Sequence, residues 1–106
     1  MSISYGWEKL NIAIHSLCGK GSQAKRLLNA VAYNLIHITP ENDLPEDIQD
    51  EFKKFMHKIT AVPAQNDEGT IKATINTLDE IELSKAIEKV ISFYDSVCRY
   101  SEPFQN

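Results

Sequence analysis

The chain has 106 residues, a net charge of −4 and a pI near 5.3, with 42% hydrophobic and 25% charged residues. That supports a single domain over 1–106 with one core, and it is too ordinary a composition for disorder. The acidic balance speaks against a general nucleic-acid binder and an anionic membrane surface, and no apolar run approaches the ~20 residues of a transmembrane helix.

The N-terminal MSISYGWEKL lacks a basic stretch followed by an apolar one, so no secretory signal is visible and a cytoplasmic protein is expected. Cys18 and Cys98 stand about 80 residues apart, each beside apolar neighbours. Two reduced, mostly buried thiols are the expectation, with a disulfide between them the other pairing the sequence leaves open.

The first helix is expected over Ile3–Cys18. Trp7, Leu10, Ile14 and Leu17 recur in steps of three and four, Ser4 can cap the start, and Ile12 falls off the main face. Gly19 is placed for a left-handed C-terminal residue. The second helix is expected over Ser22–Ile38, capped by Ser22. Leu27, Leu28, Val31, Leu35 and Ile38 form its face, which Ala24, Ala32 and Ile36 broaden, so it belongs at the centre of a bundle. Thr39-Pro40 ends it, because the residue before proline is disfavoured in the α region.

Residues 41–44 read as a short acidic connection. Pro45 suits the first turn of a third helix running to about Thr60, with Asp43 or Leu44 as its cap. Ile48, Phe52, Phe55, Met56 and Ile59 keep helical spacing. Acids crowd the start of this helix and lysines its end, as the macrodipole favours. After a loop over 61–67, Gly69–Thr77 is ambiguous. Ile71, Ala73 and Ile75 alternate with threonines, as in a strand, yet Ile71, Ile75 and Leu78 also keep helical spacing. A lone strand would lack a partner, so a short helix capped by Asp67 is expected.

The longest periodic segment is Leu78–Arg99. Leu83, Ile87, Val90 or Ile91, Tyr94, and Val97 or Cys98 define its apolar face. Thr77 and Glu80 have the spacing of a capping box, and Ile81 is placed to touch the short preceding helix. The polar tail over 101–106 holds Phe104 as a possible anchor. The whole is expected to be all-α: a compact antiparallel bundle of four main helices plus one short helix before the last.

Chemistry-bearing patterns are sparse. His15, His37 and His57 fall on three different helices with no second ligand at helical spacing, so no metal site is expected. Cys18 lies near a helix C-terminus, where the dipole disfavours a thiolate, and Lys20 is the one neighbour that would favour it, so no thiol nucleophile is expected. The acidic run from Glu41 to Glu51 lacks the glycine and ligand spacing of a calcium loop. Gly19-Lys20-Gly21-Ser22 lacks the Walker spacing, and a bound anion there would rest on helix-start N–H groups alone. No catalytic residue and no cofactor is expected, and the chain is read as not an enzyme.

What remains is a surface. Charge is uneven: residues 1–38 carry +3, residues 39–68 carry −5 and residues 69–106 carry −2. Lys20, Lys25 and Arg26 make a basic corner, and Tyr33 and Tyr100 are the aromatics expected to be exposed, so these five are the candidate partner or anion surface. The function expected is a small protein-binding or regulatory module, acting on a protein partner or on itself. The alternative is a DNA-binding dimer that uses the turn and helix around Lys20–Arg26 as a helix-turn-helix. Against that alternative, the turn does not align with the motif and the chain is acidic.

Overall fold

The computed structural model describes residues 3–65 and 68–100, and every described element is helical. The six α-helices are α1 (Ile3–Leu17), α2 (Gln23–Tyr33), α3 (Pro40–Asp43), α4 (Glu46–Ile59), α5 (Thr70–Ile75) and α6 (Glu80–Tyr100), with a 3₁₀ turn at Leu35–His37. Asp67, the expected cap of the short helix, and Phe104, the expected anchor, lie outside the described residues.

The long helices run up and down. A short turn folds α2 back along α1. Gln23, at the start of α2, donates to Ser84 Oγ near the start of α6, while Tyr94 further along α6 donates to Asn11 on α1. So α6 is antiparallel to α1. It is also antiparallel to α4, because Lys89 meets Glu51 and Leu78 lies near Ile59. This is the expected bundle of four main helices with a short helix before the last.

The central cluster of the core is apolar, with Asn34, Asp43 and Thr74 the buried polar residues among those described. Leu10 and Ala13 from α1, Leu27, Ala30 and Val31 from α2, and Val90 and Val97 from α6 have no solvent exposure. Phe52 and Phe93 bring α4 against α6 edge to face, with ring centroids 5.3 Å apart, and Phe55 meets Phe93 at 5.7 Å. That geometry aligns the positive edge of one ring with the negative face of the other. Trp7 packs on Tyr94 between α1 and α6, with centroids 6.4 Å apart.

The buried stripe of α6 is Val90, Phe93 and Val97, flanked by half-buried Leu83, Ala86, Ile87 and Tyr94. The expected face is therefore rotated. Phe93 belongs at its centre, whereas Ile91 is 47% exposed and Ile81, expected against the preceding helix, is 67% exposed. Spacing alone gives the stripe width, but the packing of α1 and α4 decides which edge is covered. The capping box also sits two residues later than expected. The Asp79 carboxylate accepts from Glu82 N–H at 2.8 Å and the Glu82 carboxylate accepts from Asp79 N–H at 2.9 Å. Thr77 instead donates its hydroxyl to the Thr74 carbonyl at 2.7 Å, closing the end of α5.

The second expected helix is shorter. It stops at Tyr33, because Asn34 (φ −131°, ψ −60°) leaves the helical region, and the 3₁₀ turn after it buries Leu35 and Ile38 but exposes Ile36. The acidic connection is a helix in its own right. Pro40 opens α3 at the position where a missing N–H costs nothing, and the Asp43 carboxylate reaches back to accept from Thr39 N–H at 2.8 Å. Asp43 is thus spent on α3. Neither it nor Leu44 caps α4, whose N-cap position is Pro45. α3 lies against Gly6 of α1 so closely that only a residue without a side chain fits there.

Three further details differ from expectation. Gly21, not Gly19, takes positive φ (102°) in the turn between α1 and α2. Ser4 lies inside α1 rather than capping it. Cys18 is exposed, just past the end of α1, Cys98 is half-buried, and both are free thiols. The threonine-rich segment is the expected helix. Thr74 is buried, donates its hydroxyl to Thr70 O at 2.7 Å and accepts from Val62 N–H at 3.0 Å, which anchors the preceding loop.

Candidate docking groove

A hollow lies between α4 and α6, and Thr74 of α5 also lines it. It is an open groove of about 610 Å³. Its floor is apolar, made by Phe55 and Ile59 of α4 with Leu78 and Ala86 from the α6 side. Lys54 and Lys58 stand on the α4 wall and Lys85 and Lys89 on the α6 wall, each pair one helical turn apart. Glu51 and Glu82 are the acids of the rim.

The acids are already engaged. Glu51 pairs with Lys89 at 2.6 Å, and the Lys89 ammonium also lies 5.6 Å over the Phe93 ring. The hydrogen bond from Lys89 holds the Glu51 carboxyl below its ordinary pKa. Glu82 accepts from Asp79 N–H in the capping box and keeps its charge, so the rim sets four lysines against two glutamates. Among the described residues, Lys54, Lys58 and Lys85 have no salt-bridge partner, so the free charge of the rim is positive in a protein of net charge −4. Like charges four residues apart on a helix repel, and here two such pairs face each other.

A second, shallower hollow of about 410 Å³ lies between the 3₁₀ turn and α4, lined by Leu35, Ile36, Ile38 and Met56 among others. Its one lysine, Lys53, is paired with Glu41 of α3, which lowers the Glu41 pKa and raises that of Lys53.

The structure divides the five surface residues expected from sequence. Lys20, Lys25 and Arg26 share the corner formed by the α1–α2 turn. Lys20 and Lys25 are exposed. Arg26 is half-buried and turns back, its guanidinium donating to the Gly21 carbonyl at 3.3 Å while its Nε is buried without a partner among the described residues. Ser22 Oγ accepts from Lys25 N–H at 3.1 Å, so the helix start is capped from within the chain. Tyr33 and Tyr100 are 70% and 58% exposed. They sit at the far ends of α2 and α6, which run in the same direction, and so occupy the opposite end of the bundle from the basic corner.

His15, His37 and His57 are all exposed, and among the described residues no three His, Cys, Asp or Glu side chains are grouped to hold a metal ion. The Cys98 thiol beside Tyr94, together with burial, raises the Tyr94 pKa above its ordinary value. Among the described residues no helix is long and apolar enough to cross a membrane. The groove lysines carry a sequence signal, two Lys-x₃-Lys pairs at 54/58 and 85/89, but only the fold places the pairs opposite each other. No protein-family model, curated protein or solved structure matches this chain.

Proposed function

We propose that this chain is a non-enzymatic protein-binding module whose docking face is the groove between α4, α5 and α6. The supporting observation is the groove itself: an apolar floor that water covers in the isolated chain, walled by three lysines that have no salt-bridge partner among the described residues. Apolar surface of this kind gains free energy when covered, at about 25 cal/mol per Å². A groove between two helices is a common seat for a partner helix. The reading of α1, its turn and α2 as a DNA-binding unit has less support, because Arg26 is turned onto its own turn and Ser22 fills the helix start.

The test is site-specific photo-crosslinking in cells. A crosslinking residue at position 58, in the groove, gives a discrete protein adduct. The same residue at position 12, on the exposed face of α1, does not. Ala86→Glu, which places a carboxylate on the groove floor, removes the adduct at position 58. Equal adducts from both positions, or none from position 58, refute the proposal.

A further inference from the structure

The charge of the groove says what kind of partner fits it. We infer that the occupant is an acidic amphipathic helix: a stripe of apolar residues with Asp or Glu on both sides of it. This rests on the protein-binding reading above and adds the partner's chemistry.

The floor and the walls each set one requirement. Phe55, Ile59 and Ala86 line the groove with carbon and offer little to a polar strand or loop. A helix can bury a stripe there while its own backbone bonds stay internal. The walls then face the two flanks of that stripe. Lys54 and Lys58 are spaced one turn apart on one wall, about 6 Å along the axis, and Lys85 stands on the other. Carboxylates on both flanks meet all three. A partner with acids on one flank only leaves a wall uncompensated, and a basic partner adds repulsion to lysines that already repel each other.

The length agrees with this occupant. The α4 wall from Glu51 to Ile59 spans about 12 Å, enough for two turns of a partner helix. Nucleic acid fits poorly, because the carbon floor lies between the lysines rather than a continuous basic strip. A second copy of this chain would have to present an acidic apolar stripe, and the acid-rich start of α4 has its apolar residues Ile48 and Phe52 buried in its own core.

Three synthetic amphipathic peptides test the inference. They share one leucine stripe and carry Glu, Gln or Lys on both flanks. Each is titrated into the ¹⁵N-labelled chain at low and at physiological salt. The Glu peptide is expected to shift the amides of Lys54–Ile59 and Glu82–Lys89 and to bind about tenfold more tightly than the Gln peptide. That advantage shrinks as salt rises. In the triple variant Lys54→Glu, Lys58→Glu, Lys85→Glu the preference reverses to the Lys peptide, and that binding shows the variant is folded. If the Gln peptide binds as well as the Glu peptide, docking in the groove stands but the acidic partner is wrong. If no peptide binds, both readings fall. Shifts at the same amides from a short DNA duplex, or from raising the protein concentration alone, with no preference among the peptides, assign the groove to nucleic acid or to a second copy and overturn the inference.

Discussion

Gly6 gives the sharpest test of the fold, because local and tertiary effects predict opposite signs. It lies inside α1 and is buried. Judged on helix propensity alone, Gly6→Ala stabilises by about 0.8–1 kcal/mol. In the folded chain a Cβ at this position would fall well inside van der Waals contact of the Asp43 carbonyl oxygen and 3.1 Å from its carbon. The obstacle is backbone and cannot rotate away. α3 must retreat from α1, which disturbs the Lys53–Glu41 pair that ties α3 to α4. Overpacking of this kind costs about 1–3 kcal/mol, and the upper part of that range applies when backbone has to move. Set against the propensity gain, the net expectation is a loss of about 1–2 kcal/mol. Urea denaturation measures it directly, and a ~1 kcal/mol loss lowers the thermal midpoint by about 4–8 °C for a domain of this size. If Gly6→Ala is as stable as the parent or more stable, α3 does not pack on Gly6 and this account of α1 and α3 is wrong.

Other substitutions test the rotated face and the caps. Phe93→Ala removes the ring that meets both Phe52 and Phe55 and is expected to cost about 3–5 kcal/mol, whereas Ile91→Ala, at an exposed site, costs under about 1 kcal/mol. Equal losses in chemical denaturation would restore the unrotated face. Asp79→Ala is expected to cost about 1 kcal/mol by removing the N-cap of α6, and Thr77→Ala less than half of that; the reverse order would put the helix start at Thr77. The acid limb of stability carries a further test. Lys53 and Lys89 hold the Glu41 and Glu51 carboxyls below their ordinary values. Their contribution is therefore present above the unfolded-state pKa and is lost as pH falls through the lowered folded-state values. Both carboxylates are exposed, so the effect is modest. The double variant Glu41→Gln, Glu51→Gln should flatten the fall of the thermal midpoint in acid, and an unchanged acid limb would mean the pairs do not persist in solution.

Much of the architecture is legible before any coordinates. Leu10, Leu27, Val31, Phe52 and Val90 follow the three-and-four spacing that marks a buried helix face, and all are buried. Exposure of Tyr33 is legible in the same way, from its position off the apolar stripe, whereas Tyr100 keeps the spacing of Phe93 and Val97 and is exposed as the last residue of α6. The threonine-rich segment is a helix, although three threonines favour a strand, because Thr74 and Thr77 satisfy their hydroxyls on carbonyls of the preceding turn. Where two capping residues compete, as Thr77 and Asp79 do, spacing does not choose between them. The choice falls to the end of α5, which takes the Thr77 hydroxyl for itself.

Charge shows where the linear reading stops. Counted along the chain, the positive segment is residues 1–38, and its basic corner at Lys20, Lys25 and Arg26 draws attention. The groove lysines come from two segments that are each net negative. α4 contributes Lys54 and Lys58, α6 contributes Lys85 and Lys89, and of the two acids lining the groove Glu51 is paired with Lys89 and Glu82 belongs to the capping box. Helical periodicity is a local property, set within a few residues by backbone geometry, so the sequence by itself determined the helices and most of the core. A groove is a relation between elements about 30 residues apart in the chain. It exists only where residues of α4, α5 and α6 come together beside the aromatic cluster, and only the tertiary packing decides that.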